Sequence, residues 1–161
     1  MVRKILLIED QEQHIEDALA YFADVEDVEL VIAQDFGEAR EQYRKVVREE
    51  GSFESSVCAG DIDGVISDIY FPLTLRSRQW DQPEPIGLRV ALELEELEIP
   101  FVLCTSGYHH GRRFEWISQL ARDRGWRLVD SGTDYEVDAE SKPWEEAHRS
   151  LEYRMKEPEE E

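Results

Sequence analysis

The sequence predicts an α/β fold in which a parallel sheet of five strands carries helices on both faces. Two observations lead to this prediction. Short, continuous apolar runs alternate along the chain with longer segments in which apolar residues recur at helical spacing. The apolar runs lack the polar alternation of a half-exposed strand, so each is typical of a strand covered on both faces. With 161 residues, the chain is long enough for one domain with an ordinary core.

The first half of the chain supplies three predicted strands and two helices. Strands are predicted over residues 4–8, 28–33 and 64–69. A first helix is marked by Ile15, Ala18, Leu19 and Phe22, and a second by Phe36, Ala39, Tyr43, Val46 and Val47. Residues 51–63 are small, polar and acidic without a period, which predicts a loop.

The second half predicts two more strands and three more helices. Residues 73–86 contain Pro83 and Pro85 and are interpreted as an inserted loop, after which a helix begins at Gly87 and ends before Pro100. Strands are predicted over 101–104 and 126–129. The remaining helices are marked by Phe114, Ile117, Leu120 and Ala121, and by Trp144, Ala147, Leu151 and Met155.

Five strand–helix units with right-handed crossovers predict a flavodoxin-like three-layer sandwich with strand order 2-1-3-4-5. We expect one domain over residues 1–156, with insertions near 73–86 and 130–141, and an acidic tail over 157–161. In this topology, ligands bind at the carboxyl ends of the first and third strands.

The charge of the chain narrows its possible partners. Thirty-eight acidic residues against 18 basic ones give a formal charge of −20, which repels nucleic acids and anionic membranes. No apolar stretch approaches the length of a membrane span, and the start of the chain does not resemble a signal peptide. We therefore expect a cytoplasmic protein, in which Cys58 and Cys104 are reduced thiols.

Three acidic residues follow predicted strands that are neighbours in the sheet. Glu9 and Asp10 end the first strand, and Asp68 ends the third. Because both ends lie at the same edge, the three carboxylates should meet there. Their mutual repulsion is relieved by a cation, and an oxygen-rich site suits Mg²⁺. We therefore expect a magnesium pocket around Asp68.

These residues, with three further motifs, resemble the receiver domains of two-component response regulators. Such domains carry an acidic pair after strand one, an acceptor aspartate followed by two residues, an apolar residue and proline, a Thr or Ser ending strand four, and a Lys-Pro pair after strand five. The matching segments here are Glu9-Asp10, Asp68-Ile69-Tyr70-Phe71-Pro72, Thr105-Ser106 and Lys142-Pro143. The resemblance covers nearly the whole chain.

The resemblance implies a signalling switch, not an enzyme. Asp68 would accept a phosphoryl group, Thr105 would bond one of its oxygens, and Lys142 would pair with its charge. Mg²⁺ would be held by Glu9, Asp10, Asp68 and the carbonyl of Tyr70. The implied partner is a protein: a histidine kinase, a phosphotransfer protein or a downstream target.

The chain departs from this pattern in its spacing. Thirty-seven positions separate Asp68 from Thr105, and 37 more separate Thr105 from Lys142, which places one insertion in each interval. We expect the first to pack over the pocket mouth with Trp80 as its anchor. The second could turn Lys142 away from the pocket. The aromatic switch residue is undecided between Trp126 and Tyr135.

Two alternative functions remain open. One is a receiver-like module that binds proteins without phosphorylation. The other is a phosphatase resembling the haloacid dehalogenases, because Asp61-Ile62-Asp63-Gly64-Val65 matches their nucleophile motif, with Asp61 as nucleophile and Asp63 as general acid/base. That motif requires a buried strand directly before it, whereas residues 54–60 are small and polar.

Overall fold

The computed structural model describes residues 1–76, 84–105, 115–130 and 142–156. Their elements follow in the order β1 (Arg3–Ile8), α1 (Glu12–Ala23), β2 (Val28–Ala33), α2 (Phe36–Tyr43), β3 (Arg44–Arg48), β4 (Ser55–Ala59), β5 (Gly64–Ser67), α3 (Ile86–Glu96), β6 (Phe101–Thr105), α4 (Glu115–Arg124), β7 (Leu128–Asp130) and α5 (Trp144–Lys156).

Five parallel strands form the main sheet in the order β2-β1-β5-β6-β7. This order is the predicted 2-1-3-4-5 once the small hairpin β3-β4 is set aside, so the predicted flavodoxin-like topology is confirmed. The central strand β1 explains why the prediction succeeded. Its residues from Ile5 to Ile8 are at most 1% exposed, as expected of a strand covered on both faces.

The side chains of β1 alternate between two cores. Leu6 and Ile8 belong to a core that also contains residues of α2, α3 and α4, whereas Ile5 and Leu7 join residues of α1 and α5. The sheet therefore lies between two helical layers, and the three-layer arrangement is confirmed. Because the five strands are parallel, their carboxyl ends lie together at one edge of the sandwich.

The segment after α2 was predicted wrongly. The helix ends at Tyr43, and Val46 and Val47 lie in β3, which pairs antiparallel with β4. The predicted loop over 51–63 therefore contains a strand. Val46 and Val47 stand three and four positions after Tyr43, so they continue the helical spacing, but both are β-branched and are stabilised by pairing with residues distant in sequence.

Three smaller predictions also require correction. Leu19 was assigned to the apolar stripe of the first helix, but it faces solvent and is 47% exposed. The last strand begins at Leu128, not at Trp126, although Trp126 is buried against Phe101. Asp130 is the final residue of β7 and not the first of an insertion.

Several predictions fall on residues outside the described ranges. These are the lid built on Trp80, the candidacy of Tyr135 as the switch residue, most of the second insertion and the acidic tail. Among the described residues, no helix has both the length and the apolar character needed to cross a membrane.

Candidate functional site

Three carboxylates meet at the carboxyl edge of the sheet, as predicted. The backbone fixes two of them: Glu9 N–H donates to the carbonyl of Ala33 at 3.0 Å, and Asp68 N–H donates to that of Ile8 at 2.9 Å. One oxygen each from Glu9, Asp10 and Asp68 lies within 4.8 Å of the others. Glu9 and Asp68 are buried and Asp10 is half-buried.

Lys142 reaches this cluster in spite of the insertion before it. Its Nζ donates to Oε2 of Glu9 in a direct ion pair, and it lies 3.3 Å from Oδ1 of Asp68. The Lys142 side chain is only 2% exposed. The structure therefore brings Lys142 together with the carboxylates, and the insertion does not turn it away.

Burial and charge act against each other in this pocket. Burial, reinforced by the Asp68 charge, raises the pKa of Glu9 to about 7, although Lys142 opposes the shift. Burial alone would lower the pKa of Lys142, but the Asp68 and Glu9 carboxylates outweigh it and raise that pKa above its ordinary value. Lys142 therefore remains an ammonium ion. With a pKa of about 7, Glu9 is only partly ionised at neutral pH, and a divalent cation in the pocket would favour its ionised form.

Thr105 contributes a hydroxyl at the end of the neighbouring strand. It is the last residue of β6 and is 2% exposed. Its Oγ1 is buried and has no hydrogen-bond partner among the described residues. Buried hydroxyls are normally bonded. A free one at this edge of the sheet is suited to a ligand oxygen.

Two backbone N–H groups hold the turn that follows Asp68. Ile69 N–H donates to Oδ1 of Asp68 at 2.7 Å, and Gly87 N–H, in the first turn of α3, donates to the Ile69 carbonyl at 2.8 Å. A Cβ on Gly87 would lie 2.1 Å from the Asp68 carbonyl oxygen. Gly87 was not predicted to contribute to the site, although a glycine in the first turn of a helix indicates a close backbone approach. Tyr70, two residues beyond Asp68, is half-buried beside this turn.

The donor set fits Mg²⁺, which prefers carboxylate oxygens and retains several waters. Glu9, Asp10 and Asp68 would hold it directly. Cations of this kind also bridge to phosphate oxygens.

Asp61 and Asp63 lie at the opposite edge of the sheet. Asp63 precedes β5, accepts a hydrogen bond from Lys4 N–H through Oδ2 at 2.7 Å, and donates its own N–H to the Lys4 carbonyl. The Asp61 side chain is 88% exposed. Lys4 lies near the amino end of β1, whereas Glu9 follows its carboxyl end. The structure therefore does not bring the phosphatase-like aspartates together with Thr105 or Lys142.

Solved structures resemble this fold over almost its whole length. A non-phosphorylated HemR receiver domain from Leptospira biflexa aligns with a TM-score of 0.56 and 15% identity, over 99% of this chain and 98% of that one. A response regulator receiver domain from Clostridium thermocellum aligns with a TM-score of 0.55 and 16% identity, over 96% and 94%.

This chain has the receiver-domain fold. A third receiver, from an HD domain-containing protein of Pseudomonas fluorescens Pf-5, agrees at a TM-score of 0.54 and 17% identity, over 96% and 95% of the two chains. At such identities the likeness establishes the fold alone. No family model matches the sequence, and no curated protein matches it.

Proposed function

We propose that this receiver-like domain is a cytoplasmic signalling switch that accepts a phosphoryl group on Asp68. Mg²⁺ would be held by Glu9, Asp10, Asp68 and the carbonyl of Tyr70. The observation that carries the proposal is the gathering of three carboxylates and the Lys142 ammonium at the carboxyl edge of a receiver-domain sheet.

Asp68, Lys142 and Thr105 have different roles in the phosphoryl transfer. A carboxylate oxygen of Asp68 attacks the phosphorus of the donor, a new P–O bond forms, and the bond from phosphorus to the donor's leaving group breaks. Lys142 pairs with the negative charge of the transferred group, and Thr105 Oγ1 donates a hydrogen bond to one of its oxygens. Bound Mg²⁺ would supply charge neutralisation for the phosphoryl oxygens.

The product carries more negative charge than the free aspartate, and this change is the signal. Lys142 bonds Glu9 before transfer and would be drawn toward the phosphoryl group after it. Lys142 lies two residues before the start of α5, so its movement would alter the start of that helix. A protein partner, whether a histidine kinase, a phosphotransfer protein or a downstream target, would read or supply the modified state.

Phosphorylation is tested by intact mass spectrometry after incubation with Mg²⁺ and a small acyl phosphate. We expect the wild-type mass to increase by one phosphoryl group. Asp68→Asn should abolish the adduct, whereas Asp61→Asn, a matched change at the other edge of the sheet, should preserve it. An adduct lost with Asp61→Asn but kept with Asp68→Asn would contradict the proposal and support the phosphatase.

Metal binding is tested separately by titrating Mg²⁺ and following the thermal midpoint. Asp10→Asn removes a ligand charge, so we expect Mg²⁺ affinity to fall by about tenfold or more. Asp17→Asn makes the same change on the exposed face of α1 and should have no effect. Equal affinities in the two variants would show that the metal binds elsewhere.

One observation favours a second candidate function, a receiver-like module that binds proteins without phosphorylation. The Lys142–Glu9 ion pair already compensates one buried carboxylate, so the pocket can be a structural feature. The same mass measurement separates the two candidates, since this module would gain no phosphoryl group under any of the conditions above.

A further inference from the structure

The β3-β4 hairpin is a surface that the pocket does not explain. It forms a sheet of its own, and every residue of its two strands except Arg44 is exposed. Val46 and Val57 are 62% and 47% exposed on one face, and Val47 is 45% exposed on the other. An isolated two-stranded hairpin is only marginally stable in water and gains most from additional strands.

The outer edge of β4 carries free backbone groups. Gly60 N–H donates to the Tyr43 carbonyl at 2.7 Å, and the register pairs residue 44 with 59. Hydrogen-bonded and non-bonded pairs alternate in an antiparallel ladder, so residues 56 and 58 bond to β3. The N–H and C=O groups of Ser55, Val57 and Ala59 therefore point away from β3. None of them is bonded within the part of the chain that the structure describes.

Charge distinguishes this edge from the rest of the molecule. Edge strands are normally protected by charged residues or proline. β3 follows that rule with Arg44, Lys45 and Arg48, but β4 contains no charged residue and no proline. Residues 44–59 hold three basic and three acidic side chains and are neutral overall, so the rest of the chain carries the whole charge of −20. A second copy that approaches through the hairpin therefore meets a segment without net charge.

We propose that β4 pairs antiparallel with β4 of a second copy of this chain, with Val57 on the two-fold axis, to form a four-stranded sheet. In this register Val57 faces Val57, and Ser55 faces Ala59. The two-fold axis repeats the second pair, which makes three pairs in all. The backbone groups of their residues point away from β3, so each pair exchanges two hydrogen bonds.

The same register joins the exposed valines. Val46 faces Val57 within each hairpin, so the four strands carry one continuous row of four valines on a single face. Cross-strand pairs of β-branched residues stabilise a sheet. The hydrogen-bonding groups and the apolar side chains therefore select the same arrangement. This inference is independent of the proposed function, because it uses no residue of the pocket.

Sedimentation velocity over a range of concentrations tests the dimer. We expect a species of twice the 18.8 kDa monomer mass. Val57→Lys places two ammonium groups face to face on the axis and should raise the dimer dissociation constant by about tenfold or more. It also makes the net charge less negative, so general repulsion cannot explain the loss. Val47→Lys is the control, with the same change on β3, and should leave the dimer intact.

Val57→Pro gives a sharper variant. Proline removes the Val57 N–H, which points outward, and leaves the bonds between β3 and β4 in place. We expect Val57→Pro to be monomeric. Asp68→Asn, which changes only the pocket, should remain dimeric. A wild-type protein that stays monomeric at every concentration would overturn the proposal.

Cys58 reports on the register. In the proposed pairing the two Cys58 residues are diagonal neighbours with Cα atoms about 7–8 Å apart. That distance exceeds the range for a direct disulfide, about 4.4–6.8 Å, but suits a short bismaleimide. Cys104 is 1% exposed, and burial raises the pKa of its thiol to about 12, so the reagent should modify Cys58 alone.

We expect the reagent to cross-link the wild type and Val47→Lys but not Val57→Pro. Ser56→Cys should form an intermolecular disulfide without the reagent, because residue 56 directly faces Cys58 of the second copy. Cross-linking that persists in Val57→Pro, or a Ser56→Cys protein that forms no disulfide dimer, would overturn this arrangement.

Discussion

Lys142 determines the charge balance of the pocket. Its ammonium group is almost fully buried and lies against two buried carboxylates, Glu9 and Asp68. Buried charges are tolerated only when they are paired, so each of these groups depends on the others. The pocket is therefore both a candidate reaction site and a contributor to stability.

We predict that Lys142→Met destabilises the domain by about 3–5 kcal/mol, because it leaves two buried carboxylates without their cation. Urea unfolding in the absence of divalent cations measures the change. Lys156→Met removes a lysine that is 64% exposed in an ion pair at the end of α5, and it should cost less than about 1 kcal/mol.

Added Mg²⁺ should recover part of the loss in Lys142→Met, because the cation replaces some of the missing positive charge. Equal stability losses in the two lysine variants would contradict the structural role of Lys142.

The site was predictable where it depends on strand ends. Glu9, Asp10 and Asp68 follow apolar runs, and topology alone brings such ends together. The position of Lys142 was not predictable, because residues 130–141 give no periodic signal from which to infer where the chain returns. Gly87 was missed for a different reason: its role is to leave space for the Asp68 backbone, and the sequence does not show which backbone approaches a glycine.

At the level of elements, the first turn of α3 supports the turn that follows Asp68. Gly87 lies so close to the Asp68 carbonyl that there is no room for a side chain. Gly37 occupies the same position in α2, one residue after the helix begins, but among the described residues a Cβ there would meet only Asp35 Oδ1, at 3.4 Å. The two glycines therefore form a matched pair with different surroundings.

We predict opposite effects for alanine at these positions. Gly87→Ala should destabilise the domain by about 1–3 kcal/mol and slow phosphorylation, because α3 or the Asp68 backbone must shift. Gly37→Ala should stabilise it by about 0.4–1 kcal/mol, since alanine favours helix and the contact is ordinary. Denaturant unfolding and the initial rate of adduct formation are the measurements. If Gly37→Ala lost as much stability as Gly87→Ala, the close approach at Gly87 would not be the cause of the destabilisation.

The elements of the main sheet were predictable and the hairpin was not, for a physical reason. Strands such as β1 are buried on both faces, so their apolar runs are visible in the sequence. The hairpin buries little, and its strands are defined mainly by pairing with each other. Local periodicity cannot detect such pairing when the valines also fit the spacing of the preceding helix.

At the scale of the whole molecule, the dominant property is the charge of −20. Like charges spread over a small domain repel one another in the folded state more than in the expanded unfolded state. Salt screens this repulsion, with a Debye length of about 10 Å at 0.1 M and about 3 Å at 1 M. Stability should therefore depend on ionic strength.

We predict that the thermal midpoint rises as NaCl increases from about 0.01 M to about 0.5 M. Chloride is the suitable salt because sulfate also stabilises proteins by exclusion from their surface. The measurement uses dilute Val57→Lys protein with a chelator, so that neither dimer formation nor metal binding contributes. A midpoint that falls with NaCl would mean that favourable ion pairs outweigh the repulsion.

The hydrogen bond between Gly60 and Tyr43 has a practical consequence for protein engineering. It holds together the two points at which the chain leaves and re-enters the main domain. A foreign domain whose own termini lie side by side can replace residues 44–59 there without stretching the sheet. This chain thus offers a graft point for a reporter, at a distance from the acidic edge.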